Sequence, residues 1–144
     1  LVNVRAVAKE RGLVVEEIKS SEQVDFREWL HIRAWAADKE ISVGGSFFGL
    51  AQHPRIVRLN SQPVEIVPEG ILFMMSNKDR PGIVGHLGSV LGNHNVNIAN
   101  MSLGRDREGG QALTALNIDS VPSADCLAEL EADPDISQIR IVQF

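Results

Sequence analysis

The feature that most constrains the fold is the order of strand-like and helix-like segments between Ile71 and Phe144. An apolar run, ILFMMSN, predicts a strand, and the apolar residues after it recur at three-to-four spacing through about Asn93, which predicts a helix. Two strands follow, VNIANMSLGR and ALTALNID, joined by the turn REGGQ. A helix in SADCLAELEAD, capped by its serine, and a strand in ISQIRIVQF complete the segment. The order β-α-β-β-α-β is that of the split βαβ motif.

The first half of the chain has a different order, and the two halves meet near VPEG, residues 67–70. VRAVAKERG predicts a helix that ends at Gly12, and LVVEEIKS predicts a strand. WLHIRAWAA with ISVGGSFFG, and RIVRLN with QPVEIV, each predict a β-hairpin. We therefore expect an α+β protein of two small domains, residues 1–69 and 70–144.

Composition narrows the classes of function. The chain has 144 residues, a net charge of −5, one cysteine and 5% aromatic residues, without a long apolar run or a signal peptide at its start. This favours a soluble cytoplasmic protein and argues against a nucleic-acid or membrane partner. The four histidines show no metal-ligand spacing and no nucleophile motif, so no catalytic residue and no metal are predicted. Cys126 lies on the apolar stripe of a predicted helix, which is typical of a core residue.

The segment DRPGIVGHLG, residues 79–88, superficially resembles a phosphate-binding loop. Such a loop needs its glycines in the turn before the helix, where free N–H groups surround the anion. Here only Gly82 lies in the turn, after Pro81 at the predicted helix start, while Gly85, Gly88 and Gly92 fall within the helix. The nucleotide interpretation therefore fails, and the glycine spacing predicts a face for close packing.

Two interpretations of Asp79 remain open. Unpaired N–H groups at the helix start, around Gly82–Val84, favour a carboxylate, and Asp79 just before them could hold an ammonium group. A zwitterionic amino acid carries both charges at about this separation. Alternatively, Asp79 simply caps the helix.

Two other charged groups are predicted to lie at the surface. The acidic run of Glu129, Glu131, Asp133 and Asp135 is interpreted as a solvated face. Arg55 and Arg58 form a local cationic cluster, but their odd spacing on a strand would place them on opposite faces. This spacing favours surface display over a joint anion clamp.

DRPGIVGHLGSVLGNHNVNIANMSLGR, followed by GGQALTALNID, resembles the ACT domain, an amino-acid-sensing module with a ferredoxin-like βαββαβ fold and an antiparallel sheet. The upstream stretches VNVRAVAKERGLVVEE, ISVGGSFFG and PRIVRLNSQPVEIVPEG resemble the intervening domain that precedes ACT in long D-3-phosphoglycerate dehydrogenases. The resemblance covers nearly the whole chain and implies a regulatory C-terminal part. It also implies that the intervening domain is truncated at its front and that the catalytic and nucleotide-binding domains are absent.

This resemblance implies feedback control of serine biosynthesis. The parent enzyme oxidises 3-phosphoglycerate with NAD, whereas this part would need no cofactor and would bind L-serine where the ACT domains of two subunits pair. The effector residues that it implies are Asn77, Asp79, Pro81, Gly82, Ile83 and Asn97. Asn77 departs from the histidine or tyrosine often found at its position.

The resemblance also implies a possible anion site in the intervening domain. Arg55 and Arg58 are its candidates, and Arg55 falls where the family can place a phosphate ligand. Gln62, Pro63 and Val67 replace basic residues found in members that have this site. Two alternative functions remain: the regulatory part of an iron–sulfur L-serine dehydratase, and a free-standing ACT sensor.

Overall fold

The computed structural model describes residues 3–19, 26, 29–50 and 53–144 and places their strands in two four-stranded antiparallel sheets. No helix in this described part is long and apolar enough to cross a membrane. The elements, in chain order, are α1 Val4–Glu10, β1 Leu30–Ala36, β2 Lys39–Phe48, β3 His53–Leu59, β4 Gln62–Ile66, β5 Ile71–Lys78, α2 Ile83–Asn93, β6 Ile98–Arg105, β7 Gln111–Ile118, α3 Ala124–Glu131 and β8 Ile136–Gln143.

The first sheet has the strand order β1-β2-β3-β4, and it contains both predicted hairpins. The β3–β4 turn is made by Asn60 at φ 52°, and its side chain accepts a hydrogen bond from the Ser42 N–H at 2.9 Å. Helix α1 ends before Gly12 at φ 69°, as predicted. The strand predicted in LVVEEIKS is wrong over residues 13–19, which are neither helix nor strand, and Ser20 lies outside the described residues. Val14 in this segment is 98% exposed, and apolar residues form a strand only where a neighbour pairs with them.

The second sheet has the strand order β6-β7-β5-β8, and its elements follow the βαββαβ order. The predicted α+β class and ferredoxin-like arrangement are therefore confirmed. Ser123 caps α3 as expected, since its hydroxyl accepts from the Cys126 N–H at 3.2 Å. Strands β5 and β7 are central, which leaves β6 and β8 as the edges.

Helices α2 and α3 cover one face of the second sheet. Ile83 and Leu87 of α2 are buried with Leu130 of α3 against apolar residues of β5 and β7. Cys126 is fully buried in the same cluster, and burial raises the pKa of its thiol, as expected for a core cysteine. Val84, predicted on the apolar face of α2, is instead 45% exposed because it falls at the rim of that face.

The other face of the second sheet is covered by the first sheet. Val64 and Ile66 of β4 pack with Leu72 of β5 and Ala115 of β7 in a second buried cluster. The Glu65 N–H of β4 donates to the Ser102 hydroxyl of β6 at 2.9 Å. Strands β5 and β7 are thus enclosed between the helices and the first sheet.

The connection between the two sheets is fixed by Asn117 of β7. Its side-chain amide donates to the carbonyl oxygens of Val67 and Glu69, both at 3.0 Å. Asn117 is 8% exposed, so its amide has partners where water has little access. The segment between β4 and β5 is therefore attached to the second sheet on both sides of Pro68.

The glycines of α2 do not pack closely within this chain. A methyl group added at Gly85, Gly88 or Gly92 would meet no described residue outside the helix within 4 Å, so close packing within the described fold is the wrong explanation for their spacing. The close approach occurs instead at Gly104 of β6, where an added Cβ would overlap the Pro63 carbonyl oxygen. Gly104 therefore permits the first sheet to contact β6.

We predict that Gly104→Ala destabilises the fold, because its Cβ would force apart two backbones that cannot rotate away. The expected cost is about 1–3 kcal/mol of unfolding free energy, measured by urea denaturation. Gly88→Ala is the matched control, since its Cβ points into open space on a helix. It should stabilise by about 0.5–1 kcal/mol. Equal stabilisation by both substitutions would contradict the close contact at Gly104.

Candidate functional site

The carboxylate of Asp79 lies where β5 ends, and it is held by the β6–β7 hairpin. Its Oδ2 accepts from Arg105 Nη1 at 2.9 Å and from the Gly109 N–H at 3.2 Å. The Asp79 backbone N–H donates to the Gly110 carbonyl oxygen at 2.8 Å. These contacts lower the pKa of Asp79, chiefly through the Arg105 hydrogen bond and then through Gly109. The carboxylate is thus ionised and paired with a cation.

Helix α2 begins without a side-chain cap. Its N-cap residue is Gly82 at φ 88°, and among the described residues no side chain caps it, while the Ile83 N–H donates to the Arg80 carbonyl oxygen at 3.4 Å. Asp79 is therefore not the cap, and the capping interpretation is wrong because the Asp79 carboxylate is engaged by the β6–β7 hairpin. Pro81 precedes the helix and is exposed together with Gly82, whereas the Ile83 side chain belongs to the core.

Arg80 ties the same loop to the segment before β8. Its guanidinium contacts Asp133, at 2.8 Å, and Asp135. The pKa of Asp133 is lowered, chiefly by the hydrogen bond from the Asp135 backbone N–H and also by Arg80. His86 Nε2 lies 3.7 Å from the same Asp133 carboxylate. Sequence analysis predicted that Asp133 and Asp135 belong to a freely solvated acidic face. The structure contradicts this, because both carboxylates form ion pairs with Arg80.

Asn77 points into the protein. Its side chain is 1% exposed, and its Oδ1 accepts from the Thr114 hydroxyl at 2.8 Å. Its Nδ2 donates to the Lys78 carbonyl oxygen at 3.1 Å. The predicted contact of Asn77 with an effector would require this buried amide to exchange partners.

Asn97 lies at the opposite end of the second sheet from Asp79. Strands β5 and β6 are both antiparallel to β7 and so run parallel to each other. Asp79 follows the end of β5 and Asn97 precedes the start of β6, so roughly 25 Å of strand length separates them. The Asn97 amide donates to the exposed Asp119 carboxylate at 2.7 Å. One chain alone does not bring these two predicted residues together.

Comparison with known protein families matches both halves of the chain. Residues 71–135 match the ACT domain, and residues 1–60 match the intervening domain of D-3-phosphoglycerate dehydrogenase. The chain thus combines the intervening domain of D-3-phosphoglycerate dehydrogenase with an ACT domain. The two expected domain types and their order are thereby confirmed.

Individual relatives named D-3-phosphoglycerate dehydrogenase align over most or all of the chain. The protein of Methanocaldococcus jannaschii is 30% identical over 144 residues, which cover 100% of this chain and 27% of the relative. That of Bacillus subtilis is 30% identical over 99% of this chain and 27% of its own length. That of Synechocystis is 35% identical over 90% of this chain and 23% of its own length. The chain thus spans about a quarter of the length of these curated relatives.

The two candidate anion ligands of the intervening domain have different partners. Arg55 Nε lies 3.8 Å from the Glu65 carboxylate, and Arg55 is one wall of an open, mostly apolar groove of about 340 Å³. The Arg58 guanidinium lies over the Trp29 ring, 5.8 Å from its centroid. The structure therefore does not form a joint clamp from them, and an anion at Arg55 would meet the Glu65 carboxylate nearby.

Arg80 and Arg105 are the residues of this region that sequence reasoning missed. Each pairs with a carboxylate that is distant in sequence, 26 residues away for Arg105 and 53 or 55 for Arg80. The βαββαβ order could have indicated these pairs, because it brings the C-terminal ends of β5 and β6 and the start of β8 to the same end of the sheet. Charged residues next to these ends are candidates for pairing.

We predict that the stabilisation lost in Asp79→Asn depends on pH. The folded-state pKa of Asp79 lies below its ordinary value of 3.8, so the contribution is complete above that value. It is lost as the pH falls through the lower folded-state pKa. The difference in unfolding free energy between wild type and variant, measured by denaturation from neutral pH into the acid range, should therefore shrink in acid.

The matched control is Glu108→Gln, which removes an exposed carboxylate from the same β6–β7 turn. We expect its effect on unfolding free energy to be smaller than that of Asp79→Asn at neutral pH. A wild-type advantage over Asp79→Asn that persists unchanged into strong acid would contradict the ion pair.

Proposed function

We propose that this chain is the regulatory part of a D-3-phosphoglycerate dehydrogenase and binds L-serine between two ACT domains, as the sensor for feedback inhibition. The observation that carries the proposal is the end of β5. An ionised Asp79 lies there beside a helix whose first turn has no side-chain cap. The family match of residues 71–135 supports an amino-acid-sensing role for this end.

The two charges of L-serine suit this end of the sheet. The ammonium group would approach the Asp79 carboxylate, and the α-carboxylate would approach the exposed start of α2 at Gly82, where backbone N–H groups of the first turn and the helix dipole favour an anion. Ile83 holds this turn in place because its side chain is 2% exposed in the core. Asn77 would act on the same side, after exchanging its hydrogen bond with Thr114.

A second copy of the chain would complete the site. Strand β6 is an edge of the second sheet, and β4 contacts it at the Ser102 hydroxyl and at Gly104 without joining its backbone hydrogen-bond ladder among the described residues. Antiparallel pairing of two β6 strands about a two-fold axis would bring Asn97 of one copy to the Arg105 end of the other. In this arrangement Asp79 and Asn97, which lie at opposite ends of the sheet within one chain, would contribute to one site from two copies.

The same arrangement gives serine a way to regulate. A ligand shifts an equilibrium only through different affinities for two states, and a site shared by two copies exists in only one relative arrangement of them. The first sheet, packed on the second, would carry the change to the rest of the enzyme as a rigid-body movement. We propose residues 1–69 and 70–144 as the two domains through which this movement passes.

The rest of the parent enzyme would supply catalysis: oxidation of 3-phosphoglycerate with NAD. The relatives that carry this name are about four times longer than the chain, which leaves room for catalytic and nucleotide-binding domains. An apolar groove of the first sheet, lined by Leu30, Ile32, Val43 and Phe47 among others, offers a surface for contact with them. The names of the relatives favour the dehydrogenase over the dehydratase and free-standing alternatives.

We predict that the assembled chain binds L-serine in isothermal titration calorimetry. Asp79→Ala should weaken binding at least about tenfold through loss of a charge-assisted contact, and Asn97→Ala by up to about tenfold. Asp119→Ala is the matched control, because it removes the intrachain partner of Asn97 and keeps Asn97 itself. Absence of heat with a properly dimeric sample at millimolar serine would overturn the serine-sensor proposal.

We also predict self-association through β6. Leu103 is 37% exposed on this edge strand, and Leu103→Lys would place a charge where two copies pair. Analytical ultracentrifugation should show a dimer for wild type and a shift toward monomer for the variant. Val142→Lys, at a 38% exposed position on the other edge strand, is the control. Loss of the dimer only in the Val142 variant would place the interface at β8 instead.

A further inference from the structure

The carboxylate expected to receive the effector's ammonium group already has a cation. Arg105 Nη1 lies 2.9 Å from Asp79 Oδ2, and this is the shortest hydrogen bond that the carboxylate accepts. An incoming ammonium group therefore meets a neutralised carboxylate and gains little unless Arg105 moves. Without a ligand, the Asp79–Arg105 ion pair therefore occupies the position where the ligand ammonium group should bind.

The Arg105 side chain is free to move at small cost. It is 54% exposed, at the last position of edge strand β6. Water solvates the exposed guanidinium when the pair separates, so the movement has a modest cost that a single new ion pair only balances. Asp79 itself is more enclosed, with a side chain 19% exposed, and it retains the Gly109 N–H as a donor. The cation of the pair, and not the anion, is thus the mobile partner.

We propose that Arg105 is the residue that restricts the effector site to zwitterions, through an exchange of ion-pair partners. This inference rests on the proposed function and adds a role for Arg105 within the same site. On binding, the ligand ammonium replaces Arg105 at Asp79, and the released guanidinium pairs with the ligand α-carboxylate. Two ion pairs replace one, and all four charges are matched.

The exchange explains why one charge would not be enough. An amine without a carboxylate can displace Arg105 from Asp79 only by leaving the guanidinium with the more distant charge of Glu108 and without a hydrogen-bonded anion. A carboxylate without an amine can attract Arg105 only by leaving Asp79 without its cation. Because each half-ligand breaks one ion pair for every pair it forms, only a molecule with both charges gains from opening the site.

The exchange also acts on the edge where a second copy would dock. Asp79 accepts the Gly109 N–H and donates its own N–H to Gly110, so the β6–β7 turn is attached to the residue whose partner changes. Arg105 ends the strand that would pair with the second copy. Ligand binding and the geometry of this edge are therefore linked through one side chain.

The test compares L-serine with ethanolamine, which keeps the amine and hydroxyl of serine and lacks its carboxylate. Affinities are measured by isothermal titration calorimetry on the dimeric chain, in wild type and in Arg105→Met. Arg105→Met should weaken L-serine at least about tenfold, because it removes the carboxylate partner. It should strengthen ethanolamine several-fold, because Asp79 no longer has a competing cation. The preference for serine over ethanolamine therefore falls more than about tenfold.

Two further variants distinguish this role from a purely structural one. Arg105→Lys keeps the charge and should retain most of the preference for serine. Arg107→Met removes a neighbouring exposed arginine from the same turn and should leave both affinities unchanged. Circular dichroism and ultracentrifugation establish that each variant is folded and dimeric before titration.

The outcomes separate the two proposals. Serine binding by wild type that Arg105→Met leaves unchanged, or weakens in proportion with ethanolamine, overturns the exchange and leaves the serine sensor standing. Absence of serine binding in dimeric wild type overturns the proposed function and the exchange together. A serine preference that collapses in Arg105→Met and returns in Arg105→Lys supports the exchange.

Discussion

The structure depends on the burial of strands β5 and β7 from both sides. Phe73 and Leu116 are fully buried against the helices on one face, while Leu72 and Ala115, each 2% exposed, are covered by β4 on the other. The second sheet is therefore a middle layer, with the helices on one face and the first sheet on the other. The first sheet, with β4 as its contact strand, is thereby part of the support of the second.

Because both faces of the second sheet are covered, the charged side chains that a ligand could reach lie at the ends of the strands. Where β5 ends, the neighbouring residues Asp79 and Arg80 carry opposite charges and engage different segments. Asp79 holds the β6–β7 hairpin, and Arg80 holds the segment between α3 and β8. Both segments adjoin the uncapped start of α2. Two adjacent side chains thus fix the β6–β7 turn and the segment between α3 and β8 at the position where we propose that the effector binds.

Sequence patterns predicted the elements well where periodicity and pairing agree. The alternation in RIVRLN and QPVEIV, and the helical spacing from Ile83 to Leu91, correspond to real elements because burial imposes these periods. LVVEEIKS shows the limit, since the described part of the chain places no strand beside its β-branched residues over 13–19. The glycines of α2 show another limit, because spacing identifies a face of a helix but not what lies opposite it.

Sequence analysis predicted the turn after β5 as an element boundary, and it did not predict the contacts of that turn. The turn after β5 could be recognised from local chemistry, namely an acid, a proline and a glycine before an apolar helix. Its ion pairs could not, since Arg105 and Asp133 reach it only through the folding of distant strands. The inward orientation of Asn77 is likewise a consequence of Thr114 on the neighbouring strand.

The attachment of the connection by Asn117 bears on how the molecule deforms. One amide bonds to two carbonyl groups on either side of Pro68, so a rotation of the connection would break both bonds together. A proline also removes one backbone torsion at that point. The connection between the sheets is therefore held rigidly to β7 and does not act as a hinge. A displacement of β7 at Asn117 should therefore also displace the connection that leads to β4.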